Sequence, residues 1–106
     1  MVEYKLNEVF SSLADPTRRD ILNRISKKEL SVSEIAAPYD QTLAAISKHL
    51  KVLEKAKLVT KRRNGKQQFV SLSPPALKEA SRYLEHYTKL WEVRLDRLED
   101  YLRNEK

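Results

Sequence analysis

Between Leu77 and Leu102 the chain repeats apolar residues at alternating steps of three and four: Leu77, Ala80, Leu84, Tyr87, Trp91, Leu95, Leu98 and Leu102. That period predicts one long amphipathic helix over about 74–103, opened by Ser73-Pro74-Pro75, where a serine can cap and prolines fit the first turn. A stripe this long outlasts the core that a chain of 106 residues can build, so cover from outside the monomer is expected over a helix packed wholly within its own chain. A second copy of the chain is the expected cover, with Leu84, Tyr87, Trp91, Leu95, Leu98 and Leu102 as contacts. The chain has no cysteine, so neither a disulfide nor a thiolate metal site can staple it instead.

Upstream, the breaks between elements are written in capping residues. Leu6, Val9, Phe10 and Leu13 have helical spacing and predict a first helix from about Glu3 to Leu13. Asp15-Pro16 restarts the chain, the aspartate accepting from free amides and the proline occupying the first helical position. The second helix is expected to run to about Ser26, with Ile21, Leu22 and Ile25 inward and Arg18 and Arg19 as solvated charge near its start. Ser31-Val32-Ser33-Glu34 matches a capping box opening a short third helix through Ala37, ended by Pro38. Thr42 can cap a fourth, whose apolar positions Leu43, Ile46, Leu50 and Leu53 are expected to face inward. Two short helices joined by a tight turn, over about 31–57, form a helix-turn-helix. The following segment, about 59–72, holds β-branched and aromatic residues around Asn64-Gly65, a strong hairpin signal.

The net charge is +6, and it is not spread evenly. Lys48, Lys51, Lys55, Lys57, Lys61, Arg62, Arg63 and Lys66 fall between Gln41 and Leu72 against Glu54 alone, while both flanking segments are nearly neutral. A localised basic stripe implies a polyanionic partner. The apolar stripe of the fourth helix leaves Ala44, Ala45, Lys48, Lys51 and Lys55 on its opposite face, where small residues allow close approach to base edges and lysines can meet phosphates. Arg62, Arg63 and Lys66 surround the hairpin turn and make it a basic wing. His49 lies about 70° from the centre of the apolar stripe and is assigned to the core's edge, below Lys48 as a DNA contact. Single-stranded RNA readers use aromatic platforms, and the basic stretch offers only Phe69, so duplex DNA is favoured.

Other classes fit less well. There is no His-Glu-x-x-His and no phosphate-cradling glycine loop, and the one glycine belongs to a turn, so no catalytic residue is assigned. Glu3, Lys5 and Glu8 interrupt the start of the chain and no stretch approaches about 18 uninterrupted apolar residues, so the expectation is a soluble, cytoplasmic protein with no membrane partner. The competing class is a protein-interaction module, in which a winged domain is scaffold and the last helix binds a different protein.

Leu13-Ala14-Asp15-Pro16-Thr17-Arg18-Arg19, then Leu30-Ser31-Val32-Ser33-Glu34-Ile35-Ala36, then Ser47-Lys48-His49-Leu50-Lys51-Val52-Leu53-Glu54 resemble the arsenic-repressor (ArsR) family of winged helix regulators. The resemblance spans Val9 to about Leu72. It implies a mainly α fold with a small β-hairpin, a single winged helix-turn-helix domain over 1–106 with about five helices and a two-stranded wing. It also implies a homodimer formed by the first and last helices, which adds Leu6 and Phe10 to the interface, and repression from a near-palindromic operator. Carried over by residue, Gln41, Thr42, Ala44, Ala45, Ser47 and Lys48 fall on the groove-facing start of the recognition helix, with Lys51 further along. Arg62, Arg63 and Lys66 fall on the wing. Founding members carry a Cys-x-Cys pair where this chain reads Ser31-Val32-Ser33. Other members bind metal between their last helices, but His86, Glu92 and Asp96 offer only one imidazole, so no metal or other cofactor is expected.

Overall fold

Three side-chain caps set the helix starts in the computed structural model, which describes residues 6–104. Asp15 accepts from the Arg18 amide at 3.0 Å and opens a helix at Pro16. Ser31 accepts from the Glu34 amide at 3.1 Å while Glu34 accepts from the Ser31 amide at 2.9 Å, closing a capping box. Thr42 Oγ1 accepts from the Ala45 amide at 3.1 Å. The elements are α1 (Leu6–Leu13), α2 (Pro16–Lys27), β1 (Leu30–Ser31), α3 (Val32–Ala36), α4 (Leu43–Lys55), β2 (Val59–Asn64), β3 (Gln67–Leu72) and α5 (Pro74–Asn104). The expected start of the first helix at Glu3 lies outside the described residues.

Every helix places apolar side chains in one core: Val9 from α1, Ile21 and Ile25 from α2, Ile35 from α3, Ile46, Leu50 and Leu53 from α4, and Ala76 and Ala80 from α5. Val59 and Val70 join it from the sheet. The inward residues of α4 differ from expectation at one end, because Leu43 is 58% exposed whereas Ile46 and Leu53 are fully buried. The first turn of α4 lies at the rim of the core, so Leu43 keeps the helical period but remains more than half exposed.

Two other local features depart from the sequence reading. The wing is the expected hairpin, but its sheet has three strands in the order β1-β3-β2, with Leu30 opposite Val70 and Ser31 opposite Phe69. An N-cap needs extended backbone, and Ser31 (φ −74°, ψ 160°) uses that same conformation to pair with β3, so this one residue serves as strand end and cap together. The hairpin loop is Gly65-Lys66, one residue later than Asn64-Gly65, with Asn64 paired to Gln67. Gly65 has φ +66° at the first loop position, where a tight hairpin favours glycine.

α4 ends without a glycine. The Leu58 amide donates to the Leu53 carbonyl at 3.0 Å and the Lys57 amide to the Glu54 carbonyl at 2.9 Å, with Lys57 in the left-handed region at φ 63°. This is a Schellman stop, with Leu53 and Leu58 on either side of it both buried in the core. At the other end of the sheet the Ser73 amide donates to the Leu58 carbonyl at 2.8 Å, and α5 starts at the next residue. α5 then leaves the core. It runs for 31 residues, giving the molecule a long axis of 71 Å, and its apolar side chains from Leu84 to Leu102 are exposed, Trp91 by 61%. No helix among the described residues is long and apolar enough to cross a membrane.

Candidate nucleic-acid interface

The angle between α3 and α4 is fixed from α2. The Arg24 guanidinium donates to the Ile35 and Glu34 carbonyls at 2.8 Å each, satisfying the end of α3, and its plane lies over Tyr39 with 5.3 Å to the ring centroid. The Tyr39 hydroxyl donates to the Asp20 carboxylate, and burial together with that bond holds the phenol above its ordinary pKa. The turn between the two helices is therefore pinned to the body of the fold.

Arg18 and Arg19, read from sequence as solvated charge, close the end of α1 instead. Arg18 donates to the Ser12 carbonyl at 2.8 Å and the Ser11 carbonyl at 3.3 Å, and Arg19 donates to the Leu13 carbonyl at 2.9 Å. Cations at a helix C-terminus satisfy free carbonyls and complement the dipole. Arg18 also donates to His49 Nδ1 at 3.2 Å, and His49 lies 3.8 Å from Asp15. Asp15 is held below its ordinary pKa first by the Arg18 amide, with His49 and the Arg18 charge adding to it against a cost of burial. The knot ties α1, α2 and α4 together. Its sequence signal was a pair of arginines just beyond a helix end, but the acceptors could not be read.

Of the residues assigned to the recognition helix, Gln41, Thr42, Ala44, Lys48 and Lys51 are exposed, while Ala45 and Ser47 are half-buried at the edges of the core face. Gln41 donates to Thr17 Oγ1 at 3.3 Å, which steadies it at the start of the helix. Thr42 already spends its oxygen on the cap, leaving its hydroxyl proton to donate.

The basic stretch divides into two sets. Lys55 pairs with Glu8 at 3.9 Å, Lys61 with Glu54 at 3.4 Å, and Arg62 with Glu29 at 2.6 Å. Arg62 also lies over the Phe69 ring, 4.8 Å from its centroid, and the Glu29 carboxylate raises its pKa above the ordinary guanidinium value. Lys48, Lys51, Lys57, Arg63 and Lys66 have no acidic partner among the described residues. Arg63 reaches only the Gly65 carbonyl, at 3.4 Å. The uncountered cations thus sit on the outer face and end of α4 and at the wing tip, whereas the paired ones brace the wing and α4 against the core.

At the interface residues expected on the first and last helices, Leu6 and Phe10 are half-buried against the core, and Phe10 stacks toward Tyr83 with ring centroids 6.1 Å apart. Leu84, Tyr87, Trp91, Leu95, Leu98 and Leu102 are all exposed along α5. His86 packs edge-on to Tyr87, and among the described residues no three His, Cys, Asp or Glu side chains gather where a metal ion could be held.

Comparison with known proteins bears on this geometry. A helix-turn-helix domain family, HTH_20, matches residues 13–62. The chain is 29% identical over 79 residues to the transcriptional repressor SdpR of Bacillus subtilis, an overlap of 74% of this chain and 88% of the relative. It is 30% identical over 98 residues to the arsenical resistance operon repressor of Escherichia coli K12, covering 92% of this chain and 81% of that protein. The fold superposes on the crystal structure of an ArsR-family transcriptional regulator with a TM-score of 0.79 at 33% identity, over 87% of this chain and 97% of that one. The chain belongs to the ArsR family of winged helix-turn-helix, DNA-binding transcriptional regulators.

Proposed function

We propose that this regulator represses transcription as a homodimer, with α4 of each copy in a major groove of a near-palindromic operator and the wings on the flanking backbone. The observation that carries it is the separation of charge within the basic stretch. Lys48 and Lys51 on the outer face of α4, with Arg63 and Lys66 at the wing tip, face solvent without acids among the described residues. Paired cations stabilise a fold, whereas uncountered ones on one edge are suited to phosphates. Gln41, Thr42, Ala44, Ala45 and Ser47 at the start of the helix read bases, and the lysines position it.

The dimer rests on α5. Its exposed stripe is apolar and aromatic over several turns, more than an isolated monomer ordinarily leaves in water. The pairing of two such helices, with Leu6 and Phe10 at its margin, would present two α4 helices on one face, about 34 Å apart. No metal or other cofactor is assigned, since Ser31 and Ser33 are not metal ligands of the thiolate kind.

The same uncovered stripe favours one second reading, in which α5 binds a helix of another protein. Light scattering on the full chain, alone and with a duplex from upstream of its own coding sequence, separates the two. A dimer that binds the duplex at low salt and releases it as salt rises supports the first reading, because a protein making about six to ten phosphate contacts loses roughly 10³ to 10⁵ in affinity between 50 and 200 mM salt. A monomer indifferent to duplex at low salt supports the second.

A further inference from the structure

We propose that Leu43 is a specificity residue that seats the C5 methyl group of a thymine in each half-site. This rests on α4 entering the major groove, and it concerns a residue that the apolar period had assigned to the core. Leu43 is the first residue of α4 and is 58% exposed, while Leu50 two turns later is 1% exposed. The N-terminal residues of a recognition helix are those that reach base edges.

The surroundings define what Leu43 can meet. It lines a shallow groove with Val32 and Ser33 from α3 and with Lys66, Gln67 and Gln68 from the wing. On the helix surface it stands one turn before Ser47 and beside Ala44, so the first turn is small or apolar, whereas the cations Lys48 and Lys51 come later. Lys66 and the glutamine amides across the groove are donors suited to a phosphate backbone running between helix and wing. A strand laid there turns its base edges toward Leu43. In the major groove the C5 methyl of thymine is the one alkyl group on a base edge; the C–H positions of the other bases are smaller, and the remaining groups are hydrogen-bond donors or acceptors that a leucine cannot satisfy. A cytosine, adenine or guanine at that position would have its polar edge dried by Leu43 without compensation, so the residue selects for thymine and against the others.

The test uses the full chain and a duplex enriched by it from a random pool. Each thymine of the enriched site is replaced in turn by uracil, which pairs identically but lacks the methyl, and affinity is measured by fluorescence anisotropy. We expect one thymine per half-site whose methyl removal weakens binding about fourfold, the fold-change for one methyl group withdrawn from an apolar contact. Leu43→Ala should bind the thymine and uracil duplexes equally, and Leu43→Met, apolar and of similar reach, should retain the discrimination. Both replacements are good helix formers at an exposed position, and circular dichroism checks that each variant keeps its fold. Indifference of the unaltered chain to uracil at every thymine, or an enriched site without thymine, overturns the proposal while leaving the DNA reading intact. Discrimination that survives Leu43→Ala assigns the methyl to Thr42 or Ala44 and also overturns it. Failure to enrich any duplex at low salt removes α4 from the groove and the proposal with it.

Discussion

Arg62 and Glu29, 33 positions apart, are joined by a forked contact in which Nε lies 3.1 and 3.0 Å from the two carboxylate oxygens and Nη2 lies 2.6 Å from one of them. The wing is thus moored to the segment that leads into α3, and one of its three expected DNA-binding cations is already engaged. Such an exposed, solvent-screened pair adds little to stability. Its larger effect is on which charges remain for a polyanion.

Arg62→Ala is therefore expected to weaken DNA binding less than Arg63→Ala or Lys66→Ala. Glu29→Gln, which releases Arg62, should tighten binding to all duplexes and make the dependence of log affinity on log salt steeper by up to about one. Salt titrations by anisotropy check both, and an Arg62→Ala loss equal to that of Arg63→Ala would show that the guanidinium leaves Glu29 on binding.

Charge reversal at the wing and truncation at the recognition helix should differ in kind. Arg63→Glu is expected to weaken specific and random duplexes alike. Gln41→Ala should change preference among sequences by about 1 to 3 kcal/mol for each base that the side chain reads. Thr42 is better tested as Thr42→Ser, which keeps the cap on the Ala45 amide, because Thr42→Ala would cost about 1 kcal/mol of stability as well. Competition binding with random-sequence DNA reads the distinction.

The Asp15 cap carries an acid dependence of known sign. Its pKa is depressed in the folded chain, so its contribution is fully present above the unfolded value and is lost as pH falls through the folded one, a window below about pH 4. Asp15→Asn should keep the cap and flatten this part of the stability profile, while Asp15→Ala should cost about 1 kcal/mol at neutral pH. Thermal unfolding from pH 3 to 7 measures both slopes.

Lys57 holds the left-handed position at the end of α4, where a side chain costs free energy and glycine does not. Lys57→Gly is expected to stabilise the fold by roughly 0.5 to 1 kcal/mol, raising Tm by several degrees. An unchanged or lowered Tm would show that the Schellman stop tolerates lysine without strain.

These residues also mark where sequence is informative. The caps at Asp15, Ser31 and Thr42 were legible because donor and acceptor lie within three residues of each other. The hairpin was legible from Asn64-Gly65, though its register was not, because either pair around the glycine satisfies the same turn chemistry. β1 was hidden by its length of two residues and by its second role as a cap. Leu43 shows that periodicity reports a face and not what lies against it. Arg18 and Arg19 were read as solvated charge, Arg62 as a DNA contact and Arg24 not at all, because their acceptors come from other elements, a relation that no local pattern encodes.

The join between sheet and last helix leaves no slack. Ser73 is tied to Leu58, Pro74 starts the helix, and Ala76 and Ala80 lock its first turns into the core. In a pair built on α5, each recognition helix would then be a rigid arm of a caliper whose jaw width cannot be adjusted. One base pair inserted between half-sites advances the far site by about 3.4 Å and swings it about 35° around the duplex axis, beyond what a jointless arm can follow. Such a protein would measure the spacing of its operator as strictly as it reads its letters.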